Sequence, residues 1–416
     1  MAGFSRLPVE LIDAIASSVA RKDLLSLCRS NHKVNSVCIR WIYHLVVLES
    51  RAPAIACFNT IISNIYPARS VRELILRFHS DLMLKAFARV MRAALEKLTA
   101  LDALEISTSA ELFVLLSGLC FPRLRQCAIP FSVDTMSFLQ LHLKLVQLSV
   151  DPVPDDSLQF PATFDPVQLP DLQIFRGPES VAHAVIPGSR TSHTIIFWDP
   201  RLQTDAATVF EAIGVSGTRL CKVNNVVVAW NPMLVTAAAR YIPNVSSLSI
   251  RNVSAFQAPA ELEAFFSCMD EPMKVLSALT SISVVQEITP GTLEAEDLDW
   301  EFQTVRRWGD ISPNLQCCIL PSETKWMRSP SNVWYPRNHS DNAADMLTRF
   351  RWFIETVIGS TALPPAYSAV LEMISGKEMV DALKRAFEQE GAVPELHLAH
   401  IPAGISMTFI PSPSTS

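Results

Sequence analysis

Val71-Arg72-Glu73-Leu74-Ile75-Leu76 and, further on, Leu101-Asp102-Ala103-Leu104-Glu105-Ile106 share one spacing: apolar, two residues, apolar, one residue, apolar. The same spacing returns at Leu124/Cys127/Ile129, Leu145/Leu148/Val150, Val223/Val226/Val228, Val245/Leu248/Ile250, Leu279/Ile282/Val284, Leu315/Cys318/Leu320 and Val393/Leu396/Leu398. Weaker candidates lie at Leu172–Ile174 and Ile195–Phe197. In an extended segment alternate side chains share a face, so the last two apolar positions of each copy point the same way. So short a strand buries that face only when a neighbouring copy stacks on it, and the copies then share one continuous core. Several copies follow a proline, as in Phe121-Pro122-Arg123-Leu124 and Ile242-Pro243-Asn244-Val245. Proline ends an incoming helix and biases the residue before it toward extended backbone.

The spacing resembles that of leucine-rich repeats, each a short strand followed by a helix or an irregular arc. The expected fold class is therefore α/β: short parallel strands plus helices in an irregular solenoid. Glycine is scarce, 12 of 416 residues, which is about 3% against a usual value of roughly 7%. That scarcity suits an array without ligand-cradling loops. An ordinary α/β or α+β domain is the alternative, because at 49% hydrophobic residues this spacing also arises by chance.

The first fifty residues read differently. Pro8 stands where a helix begins, with Glu10 in its first turn against the positive end of the helix dipole. Leu11, Ile12, Ile15 and Val19 then recur as a helical stripe. Asp23 reads as the cap of a second helix through Leu24, Leu25 and Leu27, and Val34, Val37, Cys38, Trp41 and Ile42 mark a third. An extended stretch, Leu45–Leu48, follows. A core this small is marginal alone. Either a partner completes it, or the helices cap the array that follows.

Leu7-Pro8-x-Glu10-Leu11, the later Asp23-Leu24-Leu25-x-Leu27, Val34 and the closing Trp41-Ile42-Tyr43 together resemble the F-box motif, in a form similar to F-box-like proteins of mushroom-forming fungi. The resemblance implies docking on the Skp-type adaptor of a cullin–RING ubiquitin ligase. It places Leu7, Pro8, Leu11, Ile15, Leu24, Leu25, Leu27 and Val34 at or under the adaptor interface. The rest of the chain would then bind an unknown target protein. After the second helix, Arg29-Ser30-Asn31-His32-Lys33 puts polar residues where many members are apolar. The expected organisation is an F-box-like module over 1–50, a repeat array over 51–322, a Trp-containing loop with helices and a terminal repeat over 323–401, and a tail over 402–416.

Three regions interrupt the repeats. Residues 151–170 are proline-rich and acidic, and 286–300 end in an acidic surface insertion, Glu294 to Trp300. Residues 323–340 read as a long ordered loop anchored by Trp326 and Trp334. Asp341–Ile358 and Glu378–Glu390 carry helical patterns.

Composition narrows the function classes. With 35 basic against 41 acidic residues and a net charge of −6, a nucleic-acid-binding role is disfavoured. The longest apolar stretch, Leu112–Phe121, is too short to span a bilayer, and Glu10 and Asp13 interrupt the N-terminal apolar residues. Nine cysteines without CxxC spacing point to a reducing compartment, cytoplasmic or nuclear. No catalytic constellation emerges. Gly214-Val215-Ser216-Gly217 falls short of a nucleophile elbow, Gly376-Lys377 lacks the rest of a P-loop, and His397 and His400 have no third ligand. The expectation is a non-enzymatic chain with no cofactor and no metal. It would be a ligase substrate receptor or, alternatively, a leucine-rich-repeat interaction scaffold outside any ligase.

Overall fold

The computed structural model describes residues 7–329 and 332–337, apart from 79–84, 108–113, 133, 152–163, 200–203, 217–219, 255–258 and 288–294. It also describes 349, 352–353, 396–401 and 404–409. Two compact units divide the chain, residues 1–220 and 221–416.

The first unit opens with three helices, α1 (Val9–Ser18), α2 (Arg21–Cys28) and α3 (His32–Ile42). Then come β1 (Leu45–Leu48), α4 (Arg51–Ser63), α5 (Ile65–Ser70), β2 (Glu73–Arg77), α6 (Lys85–Leu95), β3 (Ala103–Ser107) and β4 (Gln126–Pro130). The unit continues with α7 (Thr135–Gln140), β5 (Gln147–Asp151), β6 (Ile174–Pro178), α8 (Glu179–Val185), β7 (His193–Phe197) and α9 (Ala206–Gly214). Strands β1 to β7 pair parallel in chain order.

The strands bury alternate residues, and β4 and β6 also bury their closing prolines, Pro130 and Pro178. In β2, Leu74 and Leu76 are fully buried while Glu73, Ile75 and Arg77 are not, and β3 repeats this with Leu104 and Ile106. Strands covered by helices on both faces are apolar throughout. This alternation marks a one-sided sheet, compatible with a solenoid-like α/β fold. On the helices, Phe58, Ile61, Phe87, Met91, Phe138, Val181 and Phe210 are buried as well. Gly177 in β6 has no room for a side chain: an added Cβ would lie 2.9 Å from the Phe175 ring and 3.2 Å from Val150.

One hydrogen-bond device recurs at the start of the strands. The His44 carbonyl accepts from the N–H groups of both Arg72 and Glu73, and the Arg72 carbonyl from Asp102 and Ala103. Asp102 then serves Arg125 and Gln126, Arg125 serves Val146 and Gln147, Val146 serves Gln173 and Ile174, and Gln173 serves Ser192 and His193. Each lead-in carbonyl thus uses both lone pairs on two successive donors of the next copy. This fixes the register in which the next strand joins the sheet.

The second unit holds β8 (Lys222–Val227), α10 (Met233–Tyr241), β9 (Ser247–Asn252), α11 (Pro259–Ser267), α12 (Asp270–Val275), β10 (Ser281–Gln286) and α13 (Ala295–Ile311). β11 (Cys317–Ile319), β12 (Lys325–Arg328) and β13 (Trp334–Arg337) follow. Strands β8 to β11 are parallel, with the same shared carbonyls at Cys221, Ser246 and Thr280. β12 and β13 extend the sheet antiparallel.

Several expectations change. The copy expected at Val223/Val226/Val228 is out of register: Val223, Asn225 and Val227 face the core, and Val226 faces outward. The buried Asn225 donates from Nδ2 to the Ser249 carbonyl at 3.2 Å, and three adjacent valines hid this register. The long loop expected over 323–340 contains the hairpin β12–β13, although Trp326 and Trp334 are buried as anchors. Trp334 lies over Gly309 of α13, where an added Cβ would meet its Nε1 at 2.6 Å. The acidic insertion expected over 286–300 contributes Ala295–Trp300 to α13. Leu396 and Leu398 belong to no parallel repeat. They lie in β14 (Leu396–Ile401), which pairs antiparallel with β15 (Gly404–Phe409). β15 falls where a tail was expected, its alternating Ile405, Met407 and Phe409 being strand-compatible. Apart from 349 and 352–353, the helical patterns over 341–358 and 378–390 lie outside the described residues.

Two buried carboxylates clamp loops. Glu301 accepts from Ser322 N and Oγ, both at 2.8 Å, and from Trp326 Nε1 at 2.8 Å. Glu179 accepts from Asp199 N at 3.4 Å and Thr204 Oγ1 at 3.3 Å. Burial raises both, each to about 7 from 4.5, against the pull of these donors. A carboxyl whose folded pKa is raised favours folding below its unfolded pKa, and that contribution is lost as pH rises through the folded value. Stability should therefore fall between about pH 4.5 and 7, by on the order of 2 kcal/mol for each group. Urea melts across this range should show the fall, and Glu301→Gln should remove part of it. A profile unchanged by the substitution would refute the assignment.

Candidate protein interface

The N-terminal helices pack around a small core of Ile12, Ala16, Leu24, Val34, Val37 and Cys38, rimmed by Leu7, Val19, Leu27, Cys28, Trp41 and Ile42. Local signals explain the helices. Pro8 precedes the first turn of α1, and Asn31 caps α3 by accepting from Lys33 N at 2.8 Å. Asp23, expected as a cap, instead sits inside the first turn of α2, where its charge opposes the helix dipole end favourably. α3 also packs against α5 and β1, so one helix joins the module to the first strand.

Long-range polar contacts hold α1 to α3. Lys33 Nζ donates to the Leu7 carbonyl at 2.7 Å. Asp13 accepts from Trp41 Nε1 at 2.6 Å and pairs with Arg40, whose Nε donates at 3.0 Å. The indole bond and the guanidinium hold the Asp13 carboxyl below its usual range, against a partial desolvation. Cys28 and Cys38 meet across α2 and α3, and burial pushes the Cys38 thiol up to about 11, which keeps it protonated at neutral pH.

The expected stripe of α1 splits into two faces. Ile12 and Ala16 point into the core, whereas Leu11 (52% exposed) and Ile15 (38%) stand one turn apart outside it. Pro8 is exposed on the same flank of the helix start, and Val9 is 44% exposed. On α2, Leu24 is buried while Leu25 is 49% exposed. Of the eight residues singled out from sequence, Pro8, Leu11, Ile15 and Leu25 thus lie at the surface. Leu24 and Val34 lie in the core, and Leu7 and Leu27 lie half-buried at its rim. Sequence reasoning missed Val9, which belongs to no regular stripe, and Ala16, whose small side chain gave no core signal.

A helix pair with a filled core and four large aliphatics left in water has apolar surface to give to a partner. The parallel sheets add a second kind of surface. In the first unit, Val47, Ile75, Glu105, Ala128, Ser149, Arg176 and Ile195 form one outward row in register. Its charges are paired: Arg77 with Glu105 at 2.9 Å, and Arg176 with Asp151 at 3.9 Å.

Among the described residues no group of three or more His, Cys, Asp or Glu side chains could hold a metal ion. Among the same residues no helix is long and apolar enough to cross a membrane. No protein-family model matches the chain, and no curated protein matches it at a significant level.

Asp13→Ala leaves the Trp41 indole N–H without its carboxylate and should destabilise the helical module by about 1 kcal/mol. Hydrogen exchange of the amides of residues 9–42 across a urea series would report it, because the other seven tryptophans mask the Trp41 fluorescence. An unaltered midpoint would show that the α1–α3 tie carries no stability.

Proposed function

We propose that the chain is a substrate-recognition subunit of a Skp–cullin–F-box ubiquitin ligase. Its N-terminal helices dock on the Skp-type adaptor, and its leucine-rich-repeat strands offer an outward face to a target protein. The observation that carries this reading is the division of α1 and α2 into a filled core side and a bare aliphatic side. Leu11, Ile15 and Leu25, three of the residues the motif assigns to the adaptor, are on the bare side. Pro8, at the helix start, is exposed beside them.

In such a complex ubiquitin transfer belongs to the other subunits, and this chain contributes proximity and orientation. An interface of standard size buries about 1,600 Å² in total, with a few apolar anchors supplying most of the affinity. A second reading, favoured by the packing of α3 on α5 and β1, makes the helices only the cap of a scaffold with no adaptor.

Co-expression with a fungal Skp-type adaptor, followed by pull-down and size-exclusion chromatography, separates the two. A one-to-one complex is expected. Replacing Leu11, Ile15 and Leu25 together by alanine should weaken it by several kcal/mol, on the order of hot-spot truncations. These side chains are half-exposed, so the fold should survive the change. A soluble chain that forms no complex would leave the scaffold reading, and a complex indifferent to the triple substitution would refute the assignment of these side chains to the interface.

A further inference from the structure

The outward face of the second unit's sheet differs in charge from that of the first. The centre of its floor carries short hydroxyl side chains in register, Ser247 opposite Ser281 and Ser249 opposite Ser283 on β9 and β10, flanked by Asn224 and Val226 on β8 and by Cys317 and Ile319 on β11. Around this floor stand three cations at outward positions: Lys222 on β8, Arg251 on β9 and Lys325 on β12. Lys222 and Arg251 are exposed and Lys325 is half-buried. No carboxylate occupies an outward position on β8 to β12; Glu287 lies one residue beyond β10 and the exposed Glu323 two residues before β12. Among the described residues the second unit's ion pairs are Lys274–Glu271 and Arg307–Asp270, so none of the three face cations is in one.

A chain of net charge −6 that gathers cations without carboxylates on one face has a surface complementary to negative charge. The geometry narrows the shape of the partner. Strands lie about 4.8 Å apart, so Lys222 and Lys325 are separated across the sheet by about 19 Å, the reach of roughly six residues of extended chain. Serine floors keep the surface low, letting the backbone of such a segment lie close, and their hydroxyls can donate to carboxylates or main-chain carbonyls.

We propose that this face binds an acidic, extended segment of a target protein, with Lys222, Arg251 and Lys325 meeting its carboxylates. The inference rests on the reading of the repeat face as a target-binding surface and names the class of target. It does not require the adaptor to bind.

The test uses the full chain and a fluorescent peptide of alternating Glu and Ser, with a Lys/Ser peptide of equal length and a single-stranded oligonucleotide as comparisons. The acidic peptide should bind, the basic one should not, and affinity should fall as salt is raised. Reversing charge at all three positions (Lys222→Glu, Arg251→Glu, Lys325→Glu) should weaken binding by about tenfold or more. Neutral Gln at the same positions should weaken it less, and Arg176→Glu in the first unit should leave it unchanged. Adaptor pull-down on the charge-reversed chain reports the other surface separately and should be unaltered. Equal binding of both peptides, tighter binding of the oligonucleotide, indifference to the three substitutions, or equal loss with Arg176→Glu would overturn the proposal.

Discussion

Every strand-to-strand step described in the parallel sheets passes through a lead-in carbonyl that accepts from two successive N–H groups of the next copy. That contact is local in space yet joins residues about twenty to thirty-six apart in sequence, so it is the point at which chain length between copies ceases to matter. Spacing varies from Gln173 to Ser192 at the short end to Thr280 to Gln316 at the long end, yet the strands still align. Irregular helices and loops can fill each arc because the register is set where the strand begins. Burial then does the rest, since the alternating apolar residues of one strand are covered only by its neighbours and by the helices of its own arc.

The early strands were legible because their signal was redundant. Val71, Leu101, Leu124 and Leu145 each immediately precede the residue whose N–H bonds to the shared carbonyl, so the spacing in sequence mirrors the physical repeat. Legibility failed where composition was uniformly apolar or where the apolar pattern was replaced by another stabilising contact. At β8 three consecutive valines gave no face preference, and a buried asparagine satisfied by a main-chain carbonyl took an inward position. At β12 and β13 the burial comes from indoles tied to α13 by Glu301 and by the space above Gly309. Neither tie is visible until the chain is folded.

The N-terminal helices show the limit of a stripe read from periodicity alone. Leu11 and Ile12 differ by one position, about 100° around the helix, and that rotation separates a surface side chain from a core one. What decides between them is α3, whose Arg40 and Trp41 hold Asp13 and so fix the roll of α1. The module is polar-tied on one flank and apolar-bare on the other. The second unit uses a similar pairing, an Arg–Trp step on a helix facing one carboxylate, at Arg307, Trp308 and Asp270. Indole rings fill the space between elements while their N–H groups set the angle at which the elements meet.

We propose the bare flank of α1 and α2 as the docking surface for a Skp-type adaptor. Hydrogen exchange of the full chain with and without a Skp-type adaptor tests it most directly. Added protection should concentrate in residues 9–28, with the strands of the parallel sheets exchanging as before. Protection absent from those helices, or appearing in the repeat strands instead, would contradict it.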